Sequence, residues 1–366
     1  MSIPSLLDLR TEQQAVIDLP FHGNHVVTGA TGSGKTVMAV YRAWAMAVTG
    51  RDVHLFTHSN PLHQYLAQVA PELTEAIKVT TYHRWVRWFW SRHFDTEPPS
   101  TDEDGFDYDW IEMQRHCIMR GFKSVAHLVI DEGQKLPAAF YQWCRIVGAG
   151  VTVYADENQR IDDAQSTLSE ICRALAVDDD PLVLRENHRN TREIATLASE
   201  FHTENGKAVV PPTREGRAPT ILKVPSLKPF VSGVSHYFRA HPERSIGIIG
   251  RSHQVLRDIQ RALTELKLAK HTQAYTSGDR YRNAVDFSRP SILVVNSASV
   301  KGLEFDSVFV PDLDAYTEDP TGMEARLRFF MLCTRAREDL YFAYRGPQEP
   351  AIVEHLPESL LARRAM

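Results

Sequence analysis

The sequence predicts an α/β fold of two domains, each a parallel sheet flanked by helices. Short apolar runs of strand length alternate with amphipathic runs of helix length. A glycine-rich turn, Gly29 to Thr36, lies between a β-branched run and a helix-forming run. A second series of strand-length runs opens after the acidic, proline-ended turn Asp178-Asp179-Asp180-Pro181. The first series reads Val26-Val27, Val53 to Phe56, His127 to Ile130 and Val151 to Tyr154. The second includes Ile221-Leu222, Ile246 to Ile249, Ile292 to Val295, Val308 to Val310 and Leu340 to Phe342. The expected domains are 1–181 and 182–366.

Composition narrows the class. With 366 residues, 43% of them apolar and 24% charged, the chain has the make-up of a soluble globular protein with room for two domains. The opening MSIPSLLDLR lacks a basic start and a long apolar core, and the alanine-rich stretch Val37 to Val48 is interrupted by Arg42 and too short to span a bilayer. A cytoplasmic protein with no membrane partner is expected. Cys117, Cys144, Cys172 and Cys333 form no C-x-x-C pair, which fits buried thiols better than disulfides or zinc. The histidines show no ligand spacing such as H-E-x-x-H. A net charge of −5 argues against coating nucleic acid by bulk charge and leaves room for a local groove.

The octapeptide Gly29, Ala30, Thr31, Gly32, Ser33, Gly34, Lys35, Thr36 matches G-x-x-x-x-G-K-[ST], with His25 to Thr28 reading as the strand before it and Val37 to Val40 as the helix after it. The glycines let the backbone wrap a phosphate, and successive N–H groups with the helix N-terminus supply positive potential. Lys35 is expected to reach the β- and γ-phosphates of a nucleoside triphosphate, and the Thr36 hydroxyl to bind Mg2+.

Two further strands end in polar groups. HLVIDEGQ places Asp131 and Glu132 at the C-terminal edge of a strand, where ligands of open parallel sheets collect. Beside a phosphate-binding loop, Asp131 suits the magnesium shell and Glu132 the orientation or deprotonation of attacking water. Taken alone, the pair would also suit a solvated turn or a helix cap. VTVYADENQ ends in the same way, with Asp156 and Gln159 just beyond it. A neutral amide at Gln159 can contact the γ-phosphate or the attacking water.

The order of motifs resembles superfamily 1 helicases of the UvrD/Rep type over most of the chain. LRTEQQAVI looks like the glutamine motif, with Gln13 as adenine reader. LFTHSNPL and VTTYHRW resemble the first two nucleic-acid strand motifs and assign Phe56, Thr57, Tyr82 and His83 to nucleic-acid contact. DEGQ stands where the family has DEAQ. ENHRNTREIA resembles the motif opening the second domain, with Arg189 matching a phosphate-contacting arginine and His188 in place of an adenine-stacking tyrosine. ASVKGLEF resembles HSAKGLEF, keeping Glu304, and FMLCTRARE resembles YVALTRAR, making Arg335 a second arginine finger. The resemblance implies two RecA-like domains, ATP and Mg2+ as cofactors, and single-stranded nucleic acid as partner, DNA rather than RNA. It further implies translocation or unwinding in the 3′-to-5′ direction.

The residue types fit this reading independently. Planar guanidinium groups at Arg189 and Arg335 can stabilise charge on a transferring phosphoryl group, although most arginines simply face solvent. The segment TYHRWVRWFWSRHF interleaves aromatics with Arg84, Arg87 and Arg92, which suits base stacking. Helical spacing of Trp85, Trp88 and Phe89 suits a buried helix face equally. From Asp95 to Glu112 no basic residue occurs, and such acidic runs usually form solvated loops. The sharper alternative is that the run screens or mimics nucleic acid near the groove.

Departures from the family also matter. Where full-length relatives carry large inserted domains, only a small insertion at about 85–122 is expected here. After Gln159 the chain reads Arg160-Ile161-Asp162-Asp163-Ala164 in place of stacking aromatics. An ATP-hydrolysing switch acting on a protein partner without translocation is therefore the alternative, and a P-loop phosphotransferase a third.

Overall fold

The computed structural model describes residues 9–29, 31–57, 68, 75–102, 105, 107–124, 126–156, 165–201, 211–275, 285–287, 289–300 and 303–366. The chain divides into two compact units, one ending at Arg185 and the other beginning at Glu186. Each is built on an all-parallel sheet, so the α/β class with two helix-flanked parallel sheets holds.

The first unit opens with α1 (Thr11–Ile17), β1 (Asn24–Gly29) and α2 (Lys35–Val48). It continues through β2 (Val53–Phe56), β3 (Lys78–Thr80), α3 (Tyr82–Phe94), α4 (Trp110–Met119) and β4 (His127–Ile130). The last elements are α5 (Ala138–Val147), β5 (Gly150–Ala155), α6 (Leu168–Leu175) and β6 (Leu182–Leu184). The strand order is β3-β2-β4-β5-β1-β6. Strand β6 pairs with β1 from Val27↔Leu182 to Gly29↔Leu184, so the chain leaves this unit at Arg185 rather than at Pro181.

Strands β2 and β4 are buried along their whole length, as parallel strands covered on both faces must be. The aromatics of α3 turn mainly inward: Trp85, Phe89, Trp90 and Phe94 are buried, with Trp85 and Trp143 in edge contact. Only Trp88, 42% exposed, faces out among the large apolar side chains of α3. The helix-face reading of this segment therefore prevails over base stacking. Arg42, which interrupts the apolar run of α2, is itself buried. Its guanidinium donates to Thr152 Oγ1 at 2.9 Å and to the carbonyls of Leu19 and Pro20 at 3.0 and 2.6 Å, tying the turn before β1 to β5.

The second unit runs α7 (Arg192–Ser199), β7 (Thr220–Lys223), α8 (Leu227–Ala240), β8 (Ile246–Gly250), α9 (His253–Glu265) and β9 (Thr272–Tyr275). Then follow β10 (Ile292–Asn296), β11 (Phe305–Val310), α10 (Met323–Cys333), β12 (Ala336–Tyr344), α11 (Ala351–Glu354) and β13 (Ala362–Ala365). Its strand order is β13-β7-β12-β11-β8-β10-β9. Two apolar clusters, centred on Val308 and Phe342 and on Ile246 and Ile259, pack in this unit. All four cysteines are free thiols, and Cys117, Cys144 and Cys333 are buried, as their scattered spacing implied. Among the described residues no helix is long and apolar enough to cross a membrane.

Candidate nucleotide-binding site

The glycine-rich motif sits where β1 ends and α2 begins. Gly32 and Gly34 adopt φ values of 89° and 91°, left-handed conformations that glycine enters without Cβ strain. A Cβ on Gly34 would also meet the Gln13 amide nitrogen at 2.6 Å. Gly34 occupies the N-cap of α2 and offers no capping side chain, so the first-turn N–H groups keep their positive potential for another acceptor. Ala30 and Gln159 lie outside the described residues.

Strand order decides which acid meets which motif residue. Strand β5 is the immediate neighbour of β1, and its end brings Asp156, 1% exposed, under the loop. Lys35 Nζ donates to Gly29 O at 2.5 Å and to Asp156 Oδ2 at 3.2 Å, and the Thr31 hydroxyl donates to the same Oδ2 at 3.2 Å. Strand β4 lies one place further out, and its end brings Asp131 to Thr36, whose Oγ1 donates to Asp131 Oδ2 at 2.8 Å. Asp131 Oδ1 and Ser33 Oγ are buried with no hydrogen-bond partner. Burial, and after it the adjacent Glu132 carboxylate, push the Asp131 carboxyl above the ordinary range. The half-buried Thr36 hydroxyl beside a carboxylate with an unpaired oxygen is an oxygen donor set suited to a hard divalent cation, so the residues present fit Mg2+.

Glu132 takes a left-handed conformation, φ 59°, uncommon for a residue with a Cβ and frequent where a side chain is aimed for function. Its Oε2 accepts from Gln134 Nε2 at 2.8 Å and pairs with Lys135 Nζ at 3.1 Å. Gln134, fully buried, accepts from the Asp156 N–H at 3.1 Å and so ties the β4 end to the β5 end. Asp156 was visible in sequence as a strand-end acid, but its pairing with Lys35 was not, because neither strand order nor Gln134 could be read there. Gly133, which breaks the DEAQ pattern, has a local cause. A Cβ there would meet Val153 Cγ1 at 2.2 Å and Tyr141 Oη at 2.8 Å, and that hydroxyl donates to Gly133 O at 2.6 Å.

Gln13 is 6% exposed and bound to the loop: its Oε1 accepts from the Arg10 N–H at 3.1 Å and its Nε2 donates to Ser33 O at 3.4 Å. Beyond Asp131 and Glu132 a cavity of about 320 Å³ extends along the sheet edge. Thr57, Tyr82, His83, Asp107, Tyr108 and Lys135 line it with both acids. Thr57, Tyr82 and His83, which the sequence assigned to nucleic acid, thus share one cavity with the candidate acids. Phe56 also lines the cavity, but its ring is 2% exposed and packs on Trp85 at 5.3 Å and on Phe140 at 6.2 Å, so it forms part of the core and is not offered for base stacking. Thr57 Oγ1 is buried without a partner.

In the second unit, Arg189, Glu304 and Arg335 gather around the starts of β11 and β12. Arg189 Nε donates to Glu304 Oε2 at 2.5 Å and Nη1 to Thr334 O at 3.3 Å. Burial alone would raise the Glu304 carboxyl, but the positive charges around it, Arg189 foremost and Arg337 after it, together with the hydrogen bond from Arg189, hold the carboxyl below its ordinary value. Arg335 is 3% exposed and donates to Met331 O and Leu303 O at 3.1 Å each. His188 lies at the surface, 3.7 Å from Glu186. Two residues overlooked in sequence fix the Arg189 turn. Asn187 Oδ1 accepts from the N–H groups of Arg189 and Asn190 at 3.0 and 3.2 Å, and Asn190 Nδ2 donates to Ala336 O at 2.6 Å. The Asn-x-x-Asn spacing was the available signal, since asparagine side chains favour such local backbone bonds.

No family model and no curated relative matches the chain. Among solved structures, the DUF1998 helicase MrfA bound to DNA resembles it at 13% identity over 98% of this chain and 50% of that chain, with a TM-score of 0.54. This chain therefore spans half the length of that helicase chain, and the likeness shows a shared fold. The C-terminal domain of a possible DNA helicase from Lactobacillus plantarum WCFS1 resembles it at 21% identity over 48% of this chain and 97% of that domain, with a TM-score of 0.36.

Proposed function

We propose that this chain is an ATP-dependent motor that couples Mg-ATP hydrolysis to translocation on single-stranded nucleic acid or to duplex unwinding, with DNA as the track rather than RNA and 3′-to-5′ as the direction. The observation that supports it best is the pairing of Thr31 and Lys35 with Asp156 and of Thr36 with Asp131, beside Glu132, at adjoining strand ends of one parallel sheet. Thr36 and Asp131 would hold Mg2+, which when bound supplies Lewis-acid stabilisation of phosphate charge. The loop from Gly29 to Thr36 would cradle the phosphates, with Lys35 exchanging its Asp156 partner for phosphate oxygen. Glu132 would orient or deprotonate the attacking water, held in place by Lys135 and Gln134. Gln13, His188 and Glu304 keep their proposed roles around the nucleotide, and Gln159, Arg189 and Arg335 theirs toward the phosphoryl group, on the strength of the motif resemblance. The shared fold with a DNA helicase is consistent with this reading, and a cytoplasmic location is part of the same proposal.

A second reading, an ATP-hydrolysing switch for a protein partner, draws support from the buried Phe56 ring and from the engagement of His83 by Tyr108. Steady-state ATP hydrolysis without nucleic acid, with single-stranded DNA and with single-stranded RNA separates the two. Stimulation by single-stranded DNA, abolished in Lys35→Ala, is the expected result. Lys35-dependent hydrolysis that neither nucleic acid alters would favour the switch.

A further inference from the structure

The acidic run after α3 is folded against the protein. Thr101 N–H donates to Asp107 O at 2.8 Å, Asp107 N–H to Asp102 Oδ1 at 2.9 Å and Asp109 N–H to Pro99 O at 2.9 Å, while Ser100 and Tyr108 form an antiparallel bridge. Tyr108 and Trp110 anchor the run, while Glu97, Thr101 and Asp107 stay exposed, as in the solvated loop that its composition suggests. The resulting strap lies on the residues that the motor reading assigns to nucleic acid. Tyr108 is 4% exposed, its hydroxyl 3.3 Å from His83 Nδ1 and 3.4 Å from the His83 carbonyl. The Tyr108 and Tyr82 rings meet edge-on at 5.9 Å. Arg87, one turn along α3, donates to Gly105 O at 3.0 Å and also reaches Tyr108.

Charge sharpens the point. Asp102 acts electrostatically on both His83 and Tyr108, and Asp107 stands at the cavity rim. A phosphate approaching Tyr82, His83 or Arg87 would meet these carboxylates within a Debye length and find the Arg87 donors already engaged. The same cavity has Asp107 and Tyr108 in one part of its lining and Asp131 and Glu132 in another, so a change in the strap would reach the candidate hydrolytic acids through a shared space.

We propose that the described residues of this run, 99–102, 105 and 107–109, form an autoinhibitory strap that competes with nucleic-acid phosphates for the Tyr82–Arg87 edge of α3. The proposal rests on the motor reading and adds a built-in regulator to it. In the full chain, Asp102→Asn with Asp107→Asn removes two charges and leaves the Asp102 Oδ1 acceptor in place, so the strap can still fold. Binding is read with a fluorescent oligothymidylate over a salt series. The double variant should bind about three- to tenfold more tightly at low salt, with the difference shrinking as salt rises. Tyr108→Phe, which keeps the ring and loses the bonds to His83, should shift affinity in the same direction. Wild-type binding with equal or weaker binding by these variants would overturn the strap and leave the motor reading standing. Failure of wild type and variants alike to bind single-stranded DNA or RNA, with ATP hydrolysis intact, would overturn the motor reading and the strap together.

Discussion

Lys35 Nζ lies 3.2 Å from Asp156 Oδ2, an ion pair 7% and 1% exposed that joins the glycine-rich loop to the end of the neighbouring strand. Removing one partner of a buried pair leaves a poorly solvated charge and costs about 3–5 kcal/mol. Asp156→Ala should therefore lower the melting temperature of the nucleotide-free protein by several degrees, while Mg-ADP, whose phosphates would give Lys35 a new partner, should raise it by more than in wild type. Thermal scans with and without Mg-ADP check this. An unchanged melting temperature would mean that the pair contributes nothing to the loop.

Gly133→Ala introduces the alanine of the DEAQ pattern that the sequence resembles and should nevertheless be harmful. The new methyl would lie 2.2 Å from Val153 Cγ1 and 2.8 Å from the Tyr141 hydroxyl. Overpacking of this kind costs about 1–3 kcal/mol, visible in chemical denaturation. Combining it with Val153→Ala and Tyr141→Phe should recover part of the loss.

Asn190→Ala removes the 2.6 Å bond to Ala336 O and loosens the turn that presents Arg189. The orphaned buried carbonyl predicts a loss of about 1–3 kcal/mol in stability. Because the turn holds a residue proposed to act on phosphoryl charge, kcat for ATP should fall more than KM rises. A change confined to KM would detach Arg189 from that role.

His127 predicts an acid-sensitive step. Burial, with Arg42 adding to it, holds its pKa down to about 3 from an ordinary 6.5, and the neutral ring bonds Thr152 Oγ1 at 2.9 Å. A depressed histidine stays neutral when folded and takes a proton when unfolded. Its contribution is therefore complete above about pH 6.5 and is lost as pH falls toward 3, by up to about 1.4 kcal/mol per unit. Denaturation curves from pH 7 to pH 4.5 should be less steep in pH for His127→Gln than for wild type.

Much of this arrangement was legible in sequence, because it is written in local chemistry. The glycine pattern and its flanking runs specified the strand, loop and helix around Lys35, and apolar runs capped by acids located the ends of β4 and β5. What escaped was non-local. Only strand order puts Asp156 under Lys35 and Asp131 beside Thr36. Phe56 matched a stacking aromatic by position, yet α3 and α5 cover it. The acidic run carried no sign that its Tyr108 would reach back to His83. Asn187 and Asn190 left a readable spacing that was passed over because their bonds go to backbone rather than to ligand.

Glu132 is proposed to act on water while Lys35, Thr36 and Asp131 hold Mg-ATP, and Glu132→Gln separates the two roles. Nucleotide binding and single-turnover hydrolysis should be measured on the same preparation. Mg-ATP affinity should stay within a few-fold of wild type and hydrolysis should slow by at least about 10²-fold, the scale of a lost general base. Hydrolysis at the wild-type rate with binding intact would contradict the role given to Glu132.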